Sequence, residues 1–464
     1  MRKPNVVVFF TDQQRWDTLG VHGNPMGLTP NLDRFASRNT FYEHAFTCQP
    51  VCGPARSCIQ TGKYATRTGV YKNELALKPD ESTLGTVFGE AGYQTGYIGK
   101  WHLAGVELGH LDWRQDPVPP DRRGGYQFWL GADATEFISD AYNAVLFDTD
   151  GAKQKLPGYR VDAITDAGIR YIHQHQEDPF FLVMSHLEPH HQNHTDNYPA
   201  PEGYEAAYSD PWMPADLRAL GGSAVQHLPG YYGIVKRLDE AFGRVLDALR
   251  SLNLDRNTIV VFVSDHGNHF KTRNDEYKRS CHESSIRIPL AIGGPGFEGG
   301  GRVRELVSLV DLAPTLMDAC ALAVPADVQG ASTLPLLRGN GNDWPDDIFV
   351  QISESQIGRA LRTERWKYAV AALGVVGDSA PAASEYTETH LYDLCNDPYE
   401  LTNLAGMERY RPVADALEQR LLDRIVREEE AHAVIHNAPT CPDVGQRTIF
   451  PTDIPSSPHG AGAL

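Results

Sequence analysis

Four short apolar runs constrain this chain more than any other feature. Residues 5–10 (NVVVFF) lead into Thr11-Asp12-Gln13, and residues 95–98 lead into Gly99-Lys100-Trp101-His102. Residues 179–184 (PFFLVM) lead into a polar string from Ser185 to His191, and residues 258–263 (TIVVFV) lead into Ser264-Asp265-His266-Gly267. Continuous Val, Ile and Phe runs of this length predict strands buried on both faces, as in parallel sheets. Helix-like segments lie between them at 30–37, 83–91, 160–175 and 231–251. The last repeats Val235, Leu238, Phe242, Val245 and Leu249 at spacings of three or four. Alternating strands and helices predict an α/β fold with helices on both faces of a mixed or parallel sheet. Ligands of such sheets sit beyond the carboxyl ends of the strands, and all four polar clusters fall there. Taken singly, Asp12 reads as a cap, His102 or His190 as a hydrogen-bonded histidine, and Lys100 or Lys278 as a solvated side chain. Sharing one rim, they predict an active site.

The stretch 48–69, CQPVCGPARSCIQTGKYATRTG, supplies a candidate nucleophile. Pro54 suits the first position of a helix and Gly62 its far end. Cys52 is thus predicted at or just before a helix N-terminus, where unpaired N–H groups and the helix dipole favour an anion. Arg56 falls one turn on, on the same face. A lone cysteine is most often a small buried core residue. Cys48, Cys52 and Cys58 are separated by three and five residues, without a C-x-x-C pair, which gives little support to zinc.

A chain of 464 residues has room for one large domain and a smaller one. The net charge of −18 argues against nucleic acid and acidic membranes as partners. It also requires that any anionic substrate meet cations gathered locally. No apolar run approaches the ~20 residues of a membrane span. Met1-Arg2-Lys3-Pro4 leads directly into a strand without a signal-peptide core, so a cytoplasmic location is expected. Seven cysteines, an odd number, do not suggest a disulfide framework.

Farther on, residues 274–289 carry Lys278 ahead of Glu283, a strand is predicted at 290–292, and 307–319 reads as a helix begun near Asp311 and Pro314. After 343–347 the pattern changes to short strands at 348–352, 360–363, 366–371 and 391–394. A helix over 413–431 follows, with Leu417, Leu421, Leu422 and Ile425 on one side. This predicts a small antiparallel sheet with one long helix at the edge of the main sheet. The expected division is 1–345, 346–435 and an irregular tail or arm over 436–464, in a chain that forms an oligomer.

The string Cys52-Gly53-Pro54-Ala55-Arg56, closed by Thr61-Gly62, resembles the C-x-P-x-R signature of type I sulfatases. The resemblance extends to Thr29-Pro30-Asn31-Leu32-Asp33-Arg34, Gly99-Lys100-Trp101-His102-Leu103, Pro189-His190 and Ser264-Asp265-His266-Gly267. It also takes in Lys278 and the C-terminal string LYDLCNDPYELTNL at 391–404. It implies an alkaline-phosphatase-like α/β fold with a small C-terminal sheet. It also implies that a formylglycine-generating enzyme oxidises Cys52 to an aldehyde, whose hydrate attacks the sulfur of a sulfate ester.

By the same resemblance, Arg56 and Lys100 orient that group. Lys278 and His190 hold the sulfate and protonate the leaving oxygen, and His102 takes the proton that lets sulfate depart. Asp12, Gln13, Asp265, His266 and residue 52 hold one divalent metal. Many members of the family carry Asp-Asp and Asp-Asn where this chain has Asp12-Gln13 and Asp265-His266. Oxygen ligands favour calcium, the expected ion, with manganese or magnesium next; the imidazole at 266 is better suited to manganese or zinc. The same variant ligands occur in the phosphonate monoester and choline sulfate branches. A phosphonate or phosphodiester hydrolase is therefore an alternative, and a non-catalytic binding protein is another if Cys52 stays unconverted. The expected substrate is a carbohydrate or other small organic sulfate, with Asn73, His191, Asn193 and His194 in contact with it. Glu74 and Glu354 are further pocket candidates that the sequence does not place.

Overall fold

The structure, a computed structural model, describes residues 3–105, 112 and 114–439. Among them, eleven strands form the main sheet. In chain order these are β1 (Asn5–Thr11), β2 (Thr40–Phe46), β3 (Gln94–Lys100), β4 (Phe128–Ala132), β5 (Ala144–Asp148) and β6 (Lys153–Leu156). They continue with β7 (Phe180–Ser185), β8 (Thr258–Ser264), β9 (Arg287–Ile288), β10 (Leu290–Gly293) and β11 (Arg302–Ser308). The order is β11-β2-β10-β8-β1-β7-β3-β4-β5-β6, with β9 paired to β2. The centre, β8-β1-β7-β3-β4, is parallel, and antiparallel pairs flank it.

The apolar runs sit in this centre because both faces of each strand are covered. Val6, Val8 and Phe10 point into one core, and Val7 and Phe9 into the other, as the two-residue period of a strand requires. Helices Pro30–Arg38, Arg160–Gln174 and Ala224–Ser251 close one face. Helices Cys52–Thr61, Leu84–Glu90 and Leu312–Ala319 close the other. Thr11 is level with Ser264, Phe10 with Ser185, and Ser185 with Gly99. Asp12, Lys100 and Asp265 therefore leave the sheet along one edge.

Three elements differ from the sequence-based expectation. The helix expected within 307–319 from near Asp311 and Pro314 does begin at Leu312, but Val307 belongs to β11, where it pairs with Ala45 as the penultimate residue. The helix expected from 231 starts at Ala224 and runs through Pro229. Gly230 beside that proline faces the Tyr198 carbonyl, where a Cβ would stand at 2.3 Å. The small sheet is not wholly antiparallel. β12 (Asp347–Ile352), β13 (Gly358–Thr363), β14 (Trp366–Ala371) and β15 (Glu385–Asp393) are, but β16 (Val434–His436) joins β15 in parallel. The segment expected to be irregular thus opens within a strand, and residues from 440 on lie outside the described ones. Helix Arg411–Glu429 buries Leu417, Leu421 and Ile425 against this sheet.

A buried ionic cluster joins the small sheet to the loop that carries Lys278. Lys367 on β14 contacts Glu283 at 2.8 Å and also Glu400. Glu400 accepts from the Glu283 N–H at 2.8 Å, and Arg273 donates to the carbonyls of Glu400 and Tyr399 at 2.9 and 2.8 Å. Burial raises the Glu283 carboxyl, but Lys367, Arg362 and Arg287 outweigh it and hold the group well below the usual range. Removing the cation would leave two carboxylates buried and under-compensated. Lys367→Met is expected to destabilise the fold by about 3–5 kcal/mol, read as a lower urea midpoint with little change in slope.

Candidate active site

Cys52 opens the helix Cys52–Thr61, and Gly62 closes it with a left-handed φ of 70°. Pro54 is its third residue rather than its first, still inside the turn whose N–H groups lack helical partners. Val51 gives no side-chain cap. The Gly53 N–H instead donates to Asn73 Oδ1 at 2.9 Å, so the cap comes from a residue distant in sequence.

Asp12 is the hub of the site. It is fully buried, and its Oδ2 accepts from Arg56 Nη2 and Lys100 Nζ, each at 2.9 Å. Arg56 is further held by the Lys100 carbonyl at 2.6 Å and Ser185 Oγ at 2.9 Å, with its Nε 3.5 Å from Asp265 Oδ2. Lys100 also pairs with Glu136 at 2.9 Å. Burial and Cys52 raise the Asp12 carboxyl, but Lys100, His190 and Arg56 outweigh them and keep it below the usual carboxylate range.

Lys278 approaches from the other side. Its ammonium donates to Cys52 Sγ at 2.8 Å and lies 3.2 Å from both His190 Nε2 and His266 Nε2. His190 Nδ1 faces the His191 carbonyl at 2.6 Å, which requires the proton there and leaves Nε2 as the acceptor. His102, with a left-handed φ of 60°, hydrogen-bonds the Cys52 sulfur. Its backbone N–H donates to the Asp133 carbonyl at 2.9 Å. Burial raises the Cys52 thiol, yet Lys100, Lys278 and His266 pull it well below its ordinary value. In a chain of net charge −18, this position is arranged to hold negative charge.

The residues at this rim suit a divalent cation. Ligand atoms of Asp12, Cys52, Asp265 and His266, all buried, lie within 4.8 Å of one another. Ligands on opposite sides of one hard cation stand about 5 Å apart. His266 Nδ1 faces the Gly267 carbonyl at 2.9 Å, so its Nε2 lone pair turns to the cluster. Asp265 Oδ1 accepts from the N–H groups of Gln13 and His266 at 3.0 and 2.8 Å. Asp265 Oδ2 and Gln13 Oε1 are buried with no hydrogen-bond partner among the described residues. Gln13, at a left-handed φ of 68°, donates from Nε2 to Tyr198 Oη at 3.2 Å. Burial and the adjacent Asp12 push Asp265 up to about 6. A cation offsets that repulsion.

A cleft of about 570 Å³ opens over residue 52. Of the sequence-predicted residues, it is lined by Cys52, Asn73, His102, His190, His191, Asn193 and Lys278, together with Glu74 and Glu354. His191 stacks between His190 and Tyr277, at 4.3 and 4.4 Å. His194 is not among the lining residues and pairs with Asp140 at 3.4 Å. Sequence reasoning missed Glu136, Phe137, Lys72 and Arg279, all on the cleft wall. Glu136 and Phe137 follow β4, a fifth strand pointing at the same edge, but FWLGA is too short and mixed to stand out.

The family model Sulfatase matches residues 4–321, more than half of the chain, and N-sulphoglucosamine sulphohydrolase, C-terminal, matches 276–427. The chain belongs to the sulfatase family. As a sulfatase it is a sulfuric ester hydrolase, of a family that works through formylglycine and a divalent metal. It is 30% identical over 436 residues to an ulvan-active sulfatase of Formosa agariphila, covering 90% of this chain and 80% of that one. It is 24% identical to an N-acetylglucosamine-6-O-sulfatase of Bacteroides thetaiotaomicron, covering 90% and 86%. A solved structure reported for glycosaminoglycan metabolism by Bacteroides thetaiotaomicron superposes with a TM-score of 0.80 at 25% identity, covering 92% and 97%.

Asp265→Asn removes one negative charge from the ion cluster while keeping its shape. It is expected to weaken divalent-metal binding at least about ten-fold, measured by metal titration and by the metal content of the isolated protein.

Proposed function

We propose that this sulfatase removes sulfate from a saccharide, using Cys52 after its oxidation to formylglycine by a formylglycine-generating enzyme. The observation that carries this reading is the convergence of Lys278, His102 and His190 on residue 52, opposite Asp12 and Asp265. The saccharide assignment is supported by relatives named for ulvan and for N-acetylglucosamine 6-sulfate. Once hydrated, the aldehyde supplies a hydroxyl nucleophile for sulfur, and the second hydroxyl allows sulfate to be expelled. Asp12, Gln13, Asp265 and His266 would hold the ion. Their oxygens suit calcium, our proposed ion, and the His266 imidazole makes manganese the competitor that metal analysis tests against it.

The remaining work falls to fixed charges. Arg56 and Lys100 are each held by at least two partners. They present positive charge to residue 52 without having to move when negative charge develops. Lys278 reaches the sulfate oxygens. His190, lowered by burial and by Lys278, rests neutral. A sulfate beside Lys278 offsets that cation and favours the imidazolium, which can then donate from Nε2 to the leaving oxygen. His102 is placed to take a proton from the group at residue 52.

Hydrolysis compared across substrates tests the reading, followed as sulfate release from sugar sulfates and an aryl sulfate and as alcohol release from a phosphonate monoester and a phosphodiester. Preference for either phosphorus substrate would replace it. The tryptic peptide containing residue 52 is expected to have lost sulfur and two hydrogens and gained one oxygen, and a peptide carrying only unchanged cysteine would point to a binding protein instead. Cys52→Ala is expected to lower kcat by a factor on the order of 10⁴ or more. His190→Ala is expected to lower kcat on a sugar sulfate by about 10²–10⁴, and much less on an aryl sulfate, whose phenolate leaves without a proton.

A further inference from the structure

The side chains that face the cleft differ between floor and rim. On the floor, Lys278, Lys100 and Arg56 gather around residue 52. The rim carries the carboxylates of Glu74, Glu276, Glu354 and Asp378 against the cations of Lys72 and Arg279. These cations are already engaged. Arg279 contacts Glu354 at 2.5 Å and Glu276 at 3.1 Å, and Lys72 lies 3.6 Å from Asp378. Arg114 reaches Glu74 at 3.3 Å.

The rim acids are held in place by backbone that few side chains adopt. Glu74 and Glu354 both sit at left-handed φ, 71° and 66°. Glu354 accepts from the Asn73 N–H at 2.7 Å, and Asn73 in turn caps the helix of residue 52. Beside them Phe137 lines the cleft with 47% of its surface exposed, with the Arg114 guanidinium over one face of its ring at 4.9 Å. An aromatic face beside carboxylates matches a sugar ring, with an apolar C–H face and hydroxyl donors on its edge.

We infer that the cleft selects a saccharide unit bearing a single sulfate and rejects one with a second anionic group at the rim. Glu74 and Glu354 accept from its hydroxyls, and Phe137 covers its ring face. This rests on the sulfatase reading above and names its substrate class. A second sulfate or a uronate placed there meets carboxylates rather than open cations, and a like charge in that position is a repulsive determinant of specificity.

Binding tests this apart from turnover. Metal-loaded Cys52→Ala protein is titrated calorimetrically with the 3-, 4- and 6-sulfates of the N-acetylhexosamines and with the corresponding disulfates. The expected result is at least one monosulfate bound about ten-fold or more tighter than every disulfate containing it. Adding Glu74→Gln, which removes a rim charge and its ion pair with Arg114, is expected to narrow that ratio at least about three-fold. Adding Phe137→Ala is expected to weaken mono- and disulfates alike. Disulfates bound as tightly as monosulfates, a ratio unmoved by Glu74→Gln, or no sulfated sugar bound at all would each overturn the inference. Turnover of an aryl sulfate by the converted wild-type protein reports separately on the sulfatase reading.

Discussion

One fully buried carboxylate governs the rest of the site. Asp12 takes two cations on one oxygen and turns the other toward the sulfur of Cys52. Isolated, a charge at that depth would not persist. Paired, it fixes Arg56 and Lys100, whose charges then bear on residue 52. The same carboxylate lies beside Asp265, and two like charges so close favour a cation between them. Nucleophile activation and ion binding therefore follow from one constraint, and neither can be altered without disturbing the other.

The sheet makes that constraint possible. Parallel strands with level registers end together, so residues separated by more than two hundred positions in sequence meet across one edge. The groups that touch residue 52 come from strand ends and from the loop of Lys278. That loop is held by the ionic cluster of Lys367, Glu283 and Glu400, two of whose members belong to the C-terminal part of the chain. The small sheet thus contributes both an anchor and, through Glu354, part of the cleft wall.

Much of this was legible in the sequence, and the reason is physical. Strands buried on both faces must be continuously apolar, so β1, β7 and β8 stand out, and the residues that follow them must lie at the ligand-binding edge. Short strands of mixed composition carry no such mark, so β4 and β5, though largely buried, and the half-exposed β6 were missed with Glu136 and Phe137. Pro54 and Val307 misled in the same way, since a local preference fixes neither the helix start nor the choice between strand and helix. His194 looked like a neighbour of His190 by position, but its side chain pairs with Asp140. Gln13 was placed in the ion cluster by resemblance, and its bare Oε1 is a property that only folded geometry reveals.

The tether between the loop of Lys278 and Glu400, made through Arg273 and Glu283, has a bearing on the order of folding. Chains emerge from the ribosome amino end first, so Cys52 is translated long before the segment that secures Lys278 over it. In the finished fold, residue 52 is only 1% exposed. Until the carboxyl-terminal turn arrives, the Lys278 loop lacks its anchor, so the set of charges around that thiol is completed late in folding.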